Sequence, residues 1–396
     1  MKLNIAIITH GRFHIFDLAR ELIGLGHNVT LFTNYPCFAI KRFGIQADHC
    51  RTFFLHLLMV KMLQMLHINL IFEKFIHWSF GFWAAKAVSF YQPKKKWDVI
   101  MSMSGVALEA FENFSNTDTI CVLCRGSTHI SDQYNILYKL KEQTGCYIEL
   151  PSKWMILREI KEYKVANVVH IPSRFALAGF VREKFDEKKC GVINFGVDVS
   201  SFNISEIKKN ERYDRIKKSP KIRVLNTGNF SMQKGALDYK ALVEILPDDQ
   251  FEIRHVGAIS NDAVSVFSEV KNKICFFGKV SQFDLNKHYL WADIFIILSI
   301  QDGFSVVVTQ AMAMGLPVIA TTNVGSSDLI TDKYNGYIVP ICDHVCVNSI
   351  LIDLYTDRNK FLNIAENSFN GLKIRTWKDV AVDTVTDLRM RMDTND

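Results

Sequence analysis

The sequence predicts an α/β protein made of two doubly wound domains in tandem. Apolar runs of strand length alternate with helical patterns along the chain, which is typical of parallel sheets covered by helices. The alternation is interrupted once, over residues 198–220, by a polar and charged stretch. A chain of 396 residues is also long enough to bury the cores of more than one domain.

The first domain is expected to span residues 1–200. Its first strand reads as a buried strand and not as a signal peptide, because the apolar run is short and leads into Gly11 without a small-residue cleavage site. Strands are predicted in this half at residues 3–9, 28–33, 97–102, 118–124, 168–171 and 191–194.

A polar linker is expected over residues 201–220, and a second domain over residues 221–372. The last segment, residues 373–396, carries a helical pattern whose packing partner the pattern does not reveal. Strands are predicted in the second half at residues 222–228, 251–257, 273–277, 293–298, 316–320 and 336–339.

The composition excludes several classes of protein. Hydrophobic residues make up 48% and charged residues 22% of the chain, so disorder and collagen-like structure are excluded. The nine cysteines are odd in number and irregularly spaced, which favours unpaired thiols in a reducing compartment and hence the cytoplasm. Neither the Cys121 and Cys124 pair nor the group Cys342, His344 and Cys346 has further ligands nearby in sequence, so no metal site is predicted.

The excess of basic charge is confined to the first half. Residues 1–200 hold 24 Lys or Arg against 17 Asp or Glu, whereas the remainder holds 23 against 24. Residues 53–83 are rich in apolar side chains, but charges interrupt them before the ~20 residues of a membrane span are reached. Two alternatives stay open: a pair of core helices, or a patch that contacts the inner face of an anionic membrane, helped by Lys94, Lys95 and Lys96. No nucleic-acid motif accompanies the basic charge, so no nucleic acid is expected as a partner.

The loop after the predicted strand at 222–228 suits a phosphate group. It contains Gly228, Asn229 and Lys234 and leads into a helical pattern. The free N–H groups at a helix start and the lysine charge both attract anions. The spacing is not that of a P-loop, and a surface lysine at a helix start would show the same residues. From this loop alone, both interpretations stay open.

A second polar loop follows the predicted strand at 293–298. Asp302 and Gly303 precede a helical pattern, and Gln310 lies eight residues after Asp302, about two helical turns further on. A carboxylate at the mouth of the helix suits sugar hydroxyls or positive charge developing on a sugar carbon. An amide both donates and accepts hydrogen bonds, which suits the diol of a ribose.

These loops resemble the donor half of the retaining group 1 glycosyltransferases, a family with the GT-B fold. The most specific string is Asp302-Gly303-Phe304-Ser305 together with the run Gln310-Ala311-Met312-Ala313-Met314-Gly315. The loop from Gly228 to Gly235 stands where the family has its phosphate-binding loop. In the first half, the segments that follow the family's order lie at residues 11–14, 125–129, 166–173 and 194–198.

The resemblance implies two Rossmann-like domains that face each other across a cleft, with the acceptor in the first, the donor in the second, and the C-terminal helix crossing back to the first. It implies catalytic roles for Asp302 and His129. The donor contacts it implies are Lys234, Asn229, Gly228, Gly303, Phe304, Ser305 and Gln310. Gly11, Arg12 and Arg125 become candidate contacts to the acceptor or the diphosphate.

Two features depart from the family's pattern. Where the family has a Glu, seven residues and a second Glu, this chain has Asp302 and Gln310. Asn229 stands where the phosphate loop of the family carries an Arg. Both changes lower the charge around the donor.

The expected activity is transfer of a hexosyl unit from a nucleoside diphosphate sugar, a UDP- or GDP-sugar, to a hydroxyl acceptor with retention and without a metal or other cofactor. The acceptor would be a glycan or a lipid-linked saccharide, in polysaccharide or lipid-linked glycan assembly. Two alternatives stay open. One is an enzyme of the same fold that isomerises or hydrolyses sugar nucleotides, and the other is a non-catalytic nucleotide-sugar-binding protein.

Overall fold

The computed structural model describes residues 2–66, 68, 70–94, 96–199, 201–370 and 374–393, with the backbone alone at 282 and 283. Lys95 of the predicted basic cluster and the two ends of the segment 373–396 therefore lie outside the described residues. The described chain forms two α/β units, each built around one parallel sheet.

The sheet of the first unit has seven described strands. They pair in parallel in the order β3-β2-β1-β4-β5-β6-β7, so the chain adds strands outward from β1 on one side and from β4 on the other. The strands are β1 (Asn4–Thr9), β2 (Asn28–Thr33), β3 (Cys50–Thr52), β4 (Val99–Met103), β5 (Ile120–Cys124), β6 (Val168–Ile171) and β7 (Cys190–Val192).

The sheet of the second unit has six described strands in the order β10-β9-β8-β11-β12-β13. Its four strands from β8 to β13 in this order are almost wholly buried, as expected for a parallel sheet covered on both faces. The strands of this sheet are β8 (Ile222–Thr227), β9 (Phe251–Val256), β10 (Ile274–Phe276), β11 (Ile294–Ile297), β12 (Val318–Thr321) and β13 (Gly336–Val339).

Helices cover both faces of each sheet. In the first unit they are α1 (Ile15–Gly24), α2 (Cys37–Ile40), α3 (Phe54–Met65), α4 (Glu73–Phe90), α5 (Leu108–Phe114), α6 (Ile130–Thr144), α7 (Lys153–Val165) and α8 (Arg174–Arg182). After it come α9 (Glu206–Lys218), α10 (Ala236–Ile245), α11 (Val264–Val270), α12 (Gln282–Trp291), α13 (Val306–Ala313), α14 (His344–Thr356), α15 (Arg358–Asn370) and α16 (Trp377–Asp393).

The predicted fold class is confirmed. Each predicted strand is present, with ends that differ by at most two residues, and all pairing between them is parallel. β3 was not predicted, because it is a three-residue strand at the sheet edge and carries no apolar run.

The stretch predicted as a linker, residues 201–220, is largely helical. It forms α9, which begins after the Ser205 cap and packs on α15. Arg212 is fully buried there and donates to Met314 O at 2.6 Å, and Arg215 Nε donates to Asp293 Oδ1 at 2.7 Å. The stretch is therefore not a free linker. Its two arginines donate to buried acceptors of the second unit, so this polar segment is packed as part of that unit.

The C-terminal helix α16 crosses back to the first unit. It packs on α1, and Trp377, Val380 and Leu388 join the core of the first sheet. The segment that leads into α16 packs closely against Gly196, because a Cβ at this position would lie only 2.5 Å from the Thr376 carbonyl carbon. This is the arrangement that the family resemblance implies.

Residues 53–83 are partly core and partly exposed, so the alternative of a membrane-contacting patch stays a prediction. α3 and α4 bury one side, with Phe80, Ala84 and Val88 in the main core. Their other sides are exposed and apolar. Within the described ranges, no helix has both the length and the hydropathy needed to cross a membrane.

Candidate functional site

The two predicted loops of the second unit meet at one point of its sheet. β8 and β11 are neighbours, but the strands that follow each of them are added on opposite sides. The loops at the carboxyl ends of two such strands border the crevice in which open α/β sheets bind ligands, the switch point of the sheet. Lys234 lies in the loop after β8, and Asp302 in the loop after β11.

Lys234 and Asp302 form an ion pair in this crevice. Lys234 Nζ donates to Asp302 Oδ2 at 2.6 Å, and the two side chains are 32% and 11% exposed. The pair presents an ammonium and a carboxylate side by side, with the ammonium the more accessible group. This arrangement suits a ligand that carries both anionic groups and hydroxyls.

The loop that carries Lys234 is shaped by Gly235. Gly235 has a φ of 84°, and a Cβ there would lie 2.1 Å from Leu298 O. Only glycine therefore allows the loop to turn into α10 against the end of β11. Gly228 and Asn229, at the start of the same loop, are exposed, and a Cβ at Gly228 would meet nothing within 4 Å. There is room for a ligand beside them.

The two units touch at Gly303. A Cβ at Gly303 would lie 2.3 Å from Ser127 Cα and 2.5 Å from Gly126 O, so a side chain would push the units apart. Ser173 Oγ donates to Gly303 O at 2.7 Å, and Gln301 Nε2 donates to Ser127 Oγ at 2.7 Å. The loop beside Asp302 thus contacts the loops after β5 and β6 directly.

Phe304 and Ser305 lead from this contact into α13. The Phe304 ring packs against Phe195 of the first unit, with ring centroids 5.1 Å apart. Ser305 occupies the cap position, but its side chain makes no capping hydrogen bond. The first N–H groups of α13 therefore keep their positive partial charge at the crevice.

Gln310 lies one turn inside α13 and is held by Tyr289. Tyr289 Oη donates to Gln310 Oε1 at 3.0 Å, and Thr227 Oγ1 lies 3.1 Å from the same hydroxyl. Because Oε1 already accepts from Tyr289, the Nε2 group remains as a donor, and within the described residues it makes no hydrogen bond. The amide is thus fixed in orientation, and its Nε2 group is available to donate to a ligand.

His129 is buried and caps α6. Its Nδ1 accepts from Ser131 N at 3.2 Å, so the ring proton is on Nε2, which has no hydrogen bond among the described residues. Burial, and secondarily the Arg125 charge, lowers the pKa of His129 to about 4, so the ring is neutral near pH 7. His129 therefore offers a neutral donor two residues from Ser127, which touches Gly303.

Arg12 and Arg125 both contact residues of the first unit. Arg12 is exposed, with its guanidinium 4.2 Å from the centre of the Phe43 ring. Arg125 donates to Gln133 Oε1 at 2.6 Å, and its Nε lies 3.3 Å from Glu159 Oε2. Arg125 therefore makes these polar contacts within the first unit, where the Glu159 carboxylate supplies the counter-charge for its largely buried guanidinium.

Gly11, the third candidate for an acceptor contact, lies at the carboxyl end of β1. Its φ is 87°, and its N–H donates to Asn34 Oδ1 at 2.8 Å. Gly11 stays a candidate ligand contact, because parallel sheets of this kind bind ligands at the carboxyl ends of their strands.

The cysteine groups show no arrangement for metal binding. Cys121 and Cys124 are buried within β5. Within the described part of the chain, no group of three or more His, Cys, Asp or Glu side chains is placed to hold a metal ion.

Three residues that support the site were not identified from the sequence. Tyr289 orients Gln310, and Gln233 Nε2 donates to the bridging residue Gln301, at 2.7 Å from its Oε1. Gln301 precedes Asp302 in the same loop, so its position after a strand could have singled it out. No sequence pattern marks Tyr289, which lies on a different helix.

The family comparison covers the region that contains this pair. Residues 221–357 match the sequence model described as "Glycosyl transferases group 1". This matched region is here called the group 1 domain. The loops that carry Lys234 and Asp302 both belong to this group 1 domain, whereas the first sheet lies outside the match.

Curated relatives match the chain in part. An uncharacterized glycosyltransferase of Methanocaldococcus jannaschii is 30% identical over 161 residues, 38% of this chain and 40% of that protein. The UDP-Gal:alpha-D-GlcNAc-diphosphoundecaprenol alpha-1,3-galactosyltransferase of Escherichia coli is 25% identical over 222 residues, 50% of this chain and 56% of that protein. The chain spans about half the length of the curated relatives it matches.

Solved structures match nearly the whole chain. The sucrose-phosphate synthase of Thermosynechococcus elongatus superposes with a TM-score of 0.72 at 17% identity, over 99% of this chain and 100% of that one. Anabaena HepE in complex with UDP gives a TM-score of 0.69 at 12% identity, over 98% and 100% of the two chains. The chain as a whole, with the group 1 domain as its second half, therefore has the GT-B fold.

Proposed function

We propose that this protein transfers a hexosyl unit from a nucleoside diphosphate sugar to a hydroxyl acceptor, with retention of configuration. The observation that carries this proposal is the Lys234–Asp302 pair at the switch point of the group 1 domain, beside the uncapped start of α13. Residues that the family resemblance assigns to the donor are thus neighbours in space, around a crevice of mixed charge.

The diphosphate of the donor is assigned to Lys234 and to the first N–H groups of α10 and α13. The two helix starts and the ammonium supply positive charge without a metal ion. Gln310 Nε2 is assigned to a ribose hydroxyl, since Tyr289 holds its amide in place. A uridine donor is favoured, because structures of the GT-B protein HepE have been solved with UDP and with UDP-glucose.

In the proposed reaction, the bond between the sugar C1 and the diphosphate oxygen breaks, and its electron pair leaves with the diphosphate. Lys234 and the helix starts stabilise the charge that develops there, which lowers the barrier. The acceptor oxygen bonds C1 on the face that the diphosphate leaves, and its proton passes to the departing phosphate oxygen. Asp302 balances positive charge on the sugar ring, and the His129 Nε2–H group donates to the sugar from the first unit.

For the acceptor we propose a saccharide carried at an anionic membrane surface. The supporting feature is the apolar outer face of α3, α4 and the turn between them, here called the hairpin surface. Two of its side chains, Met65 and Ile71, are 81% and 77% exposed. Its exposed residues are Phe54, Leu55, Leu58, Met62, Met65, Leu66, Leu70, Ile71, Phe72, Phe75, Trp78 and Phe82.

The residues of the hairpin surface follow helical spacing. On α3 they recur at every third or fourth position, and on α4 the rings of Phe75, Trp78 and Phe82 touch in a row. A contiguous exposed apolar face of this kind marks an interaction site. The Escherichia coli relative named above acts, by its name, on a diphosphoundecaprenol-linked sugar, which supports a lipid-linked acceptor here.

The cations beside the hairpin surface differ from those expected. Lys61, Lys74 and Lys86 are exposed on α3 and α4 themselves. Lys94 and Lys96 follow the far end of α4, which has 18 residues and is therefore ~27 Å long. We therefore assign the attraction to anionic lipid mainly to Lys61 and Lys74, which lie near the turn between the two helices, each worth ~1 kcal/mol near the membrane plane.

Co-sedimentation with vesicles tests the membrane proposal. The protein is expected to sediment with phosphatidylglycerol-containing vesicles at low salt and to be released by salt. Replacing Lys61 and Lys74 with Ala should weaken binding strongly, whereas Lys94→Ala with Lys96→Ala is the matched control and should weaken it less. A protein that stays in the supernatant at low salt, or self-associates through this surface, would show that the acceptor reaches the cleft from solution.

Turnover with a donor panel tests the proposed activity itself. The purified chain is incubated with UDP-, GDP- and ADP-sugars, with and without sugar acceptors, and products are identified by NMR, which also reports the configuration at C1. Transfer that needs an acceptor supports the proposal. Free sugar or an isomerised sugar nucleotide without an acceptor would instead indicate the hydrolysing or isomerising enzyme, and binding without turnover would indicate a binding protein.

A further inference from the structure

The first sheet has a switch point of its own. β1 has β2 on one side and β4 on the other, and the strands that follow are added in opposite directions. The crevice at the carboxyl ends of β1 and β4 is therefore the position at which a sheet of this kind binds its ligand. His10 follows β1 directly, and Gly105 lies just after β4.

Three histidines gather at this crevice. The His10 ring centroid lies 5.2 Å from that of His56 and 5.6 Å from that of His77. His56 belongs to α3 and His77 to α4, so the two helices of the hairpin surface place both rings over the end of β1. The Phe80 ring, 5.5 Å from His10, completes an apolar wall.

Hydrogen bonds to carbonyl groups fix two of these rings. His56 Nε2 lies 3.0 Å from Ile76 O and His77 Nδ1 lies 3.1 Å from Gly105 O, and a carbonyl oxygen only accepts, so both nitrogens donate. His77 Nε2 is then an acceptor, and it has no hydrogen bond within the described residues. His10 Nε2 is buried and likewise has no partner among them.

A buried imidazole nitrogen without a partner is costly, and such groups in native proteins are nearly always satisfied. The surrounding residues do not supply the partner. Asn34 Nδ2 points to His56 Nδ1 at 3.4 Å, and its Oδ1 accepts from Gly11 N. A ligand that enters the crevice is therefore the natural source of the missing hydrogen bond.

We propose that the crevice of His10, His56 and His77 is the acceptor subsite, in which His10 Nε2 and His77 Nε2 bind the hydroxyls of an uncharged sugar. This inference rests on the proposed glycosyl transfer and names the acceptor's chemical class. Hydroxyls fit because each both donates and accepts, so one group satisfies a ring nitrogen in either tautomer.

The electrostatics favour a neutral ligand over a phosphate or carboxylate. Burial, reinforced by the neighbouring histidines, lowers the pKa of His10 to about 3, and burial lowers the pKa of His77 to about 4. The rings are therefore uncharged near pH 7. The nearby cation Arg158 is already bonded to Glu109, at 2.8 and 2.6 Å, and to Gly105 O. An anion would find no free positive charge from these groups.

Gly105 positions His77. Its φ is 86°, its N–H donates to Glu162 Oε2 at 2.6 Å, and its carbonyl accepts from both His77 Nδ1 and Arg158 Nε. Glu162 is fully buried and holds this turn from behind. Glu162 is thus a positioning residue for the subsite and does not line it.

The test uses the full chain labelled with ¹⁵N-histidine. The probes are methyl and p-nitrophenyl glycosides of glucose, galactose, N-acetylglucosamine and mannose, with glucose 6-phosphate as the charged probe. At least one glycoside is expected to shift the His10 and His77 ring signals saturably, and glucose 6-phosphate is expected to bind more weakly. His10→Phe should weaken glycoside binding about tenfold, the loss of one hydrogen bond, and His10→Gln should restore part of it.

Controls separate this proposal from the donor assignment. His49→Phe removes a histidine that bonds Val29 O away from the crevice and should change nothing. UDP binding should be the same in the parent and in His10→Phe, and its absence in both would count against the proposed function and not against the subsite. Ring signals that respond to none of the glycosides, or to Zn²⁺ alone, or glycoside binding that is unchanged in His10→Phe, would overturn the proposal.

Discussion

The switch points of the two sheets carry different chemistry at the same topological position. In the second sheet, Lys234 and Asp302 meet at 2.6 Å beside the uncapped start of α13. In the first sheet, His10 lies between His56 and His77, and burial keeps the pKa of His10 at about 3. One crevice is charged and partly open to solvent, and the other is neutral and enclosed.

This difference matches the two halves of a group transfer. The leaving diphosphate of a sugar nucleotide needs positive charge that is already in place, since preorganised charge lowers the barrier most. An incoming hydroxyl needs orientation without charge, which neutral imidazoles provide. Under the proposed assignment, the same sheet topology serves donor and acceptor through different residues after the strands.

Removing the charge of the second crevice should have the largest effect. Lys234→Ala is expected to reduce transfer by ~2 to 4 kcal/mol of transition-state stabilisation, from about thirtyfold to several hundredfold, in a folded protein. The assay is steady-state turnover with UDP-glucose. Lys240→Ala is the matched control, because Lys240 lies on α10 and pairs with Glu269 at the surface. Equal rates for the two variants would remove Lys234 from the donor site.

Separating the two crevices should have the next largest effect. Gly303→Ala places a Cβ 2.3 Å from Ser127 Cα, so the units are expected to move apart and turnover to fall by about tenfold to a hundredfold, because the reacting groups are misplaced. UDP binding should change less than turnover, which calorimetry and kinetics measure separately. Gly24→Ala is the control, since a Cβ there meets nothing within 4 Å. Full activity of Gly303→Ala would mean that transfer does not need this contact.

A smaller effect is expected at Gln310, which is buried one turn inside α13. Gln310→Leu removes the donor that Tyr289 holds in place, and should weaken UDP binding about tenfold. Gln310→Glu should retain binding, because Tyr289 Oη also donates to a carboxylate and a carboxylate accepts from ribose hydroxyls. Isothermal titration with UDP distinguishes the two variants. A Leu variant that binds UDP as tightly as the parent contradicts the ribose assignment.

The smallest effect concerns acid stability and the neutral crevice. The folded-state pKa of His10 is about 3, below the ordinary value of 6.5, so the unfolded chain takes up a proton first as the pH falls. Stability is therefore lost as the pH drops below 6.5, by ~1 kcal/mol or more for this group at pH 5. Denaturant unfolding at pH 7.5 and pH 5 should show a smaller acid loss for His10→Phe than for the parent. An equal loss would place the His10 ring in solvent.

The strands were predictable because they are buried on both faces. β5 and β11 are apolar along their whole length, and such runs stand out in a sequence. α9 was read as a linker, because Arg212 counts as polar in a sequence although its guanidinium donates to backbone carbonyls in the core. Sequence patterning does not reveal which acceptors a buried arginine will find.

The sequence predicted more of the site residues in the second unit than in the first. The family resemblance assigned both Lys234 and Asp302 to the donor, but their ion pair was not predicted, because the strand order that makes their loops neighbours is not written in the sequence. Arg125 stays a predicted ligand contact, and in the structure it is bonded to Gln133 and lies beside Glu159 within its own unit. The crevice of His10, His56 and His77 joins positions far apart in the chain, and only the packing of α3 and α4 over β1 brings them together.

The most direct test of the central claim is isothermal titration of UDP into three proteins: the parent, Lys234→Met and His10→Phe. Lys234→Met keeps the length of the side chain and removes its charge. If the charged crevice holds the donor, UDP binds the parent and His10→Phe alike and binds Lys234→Met at least about tenfold more weakly. Equal binding to the parent and Lys234→Met, or loss of binding in a folded His10→Phe, would contradict the assignment of donor and acceptor to the two switch points.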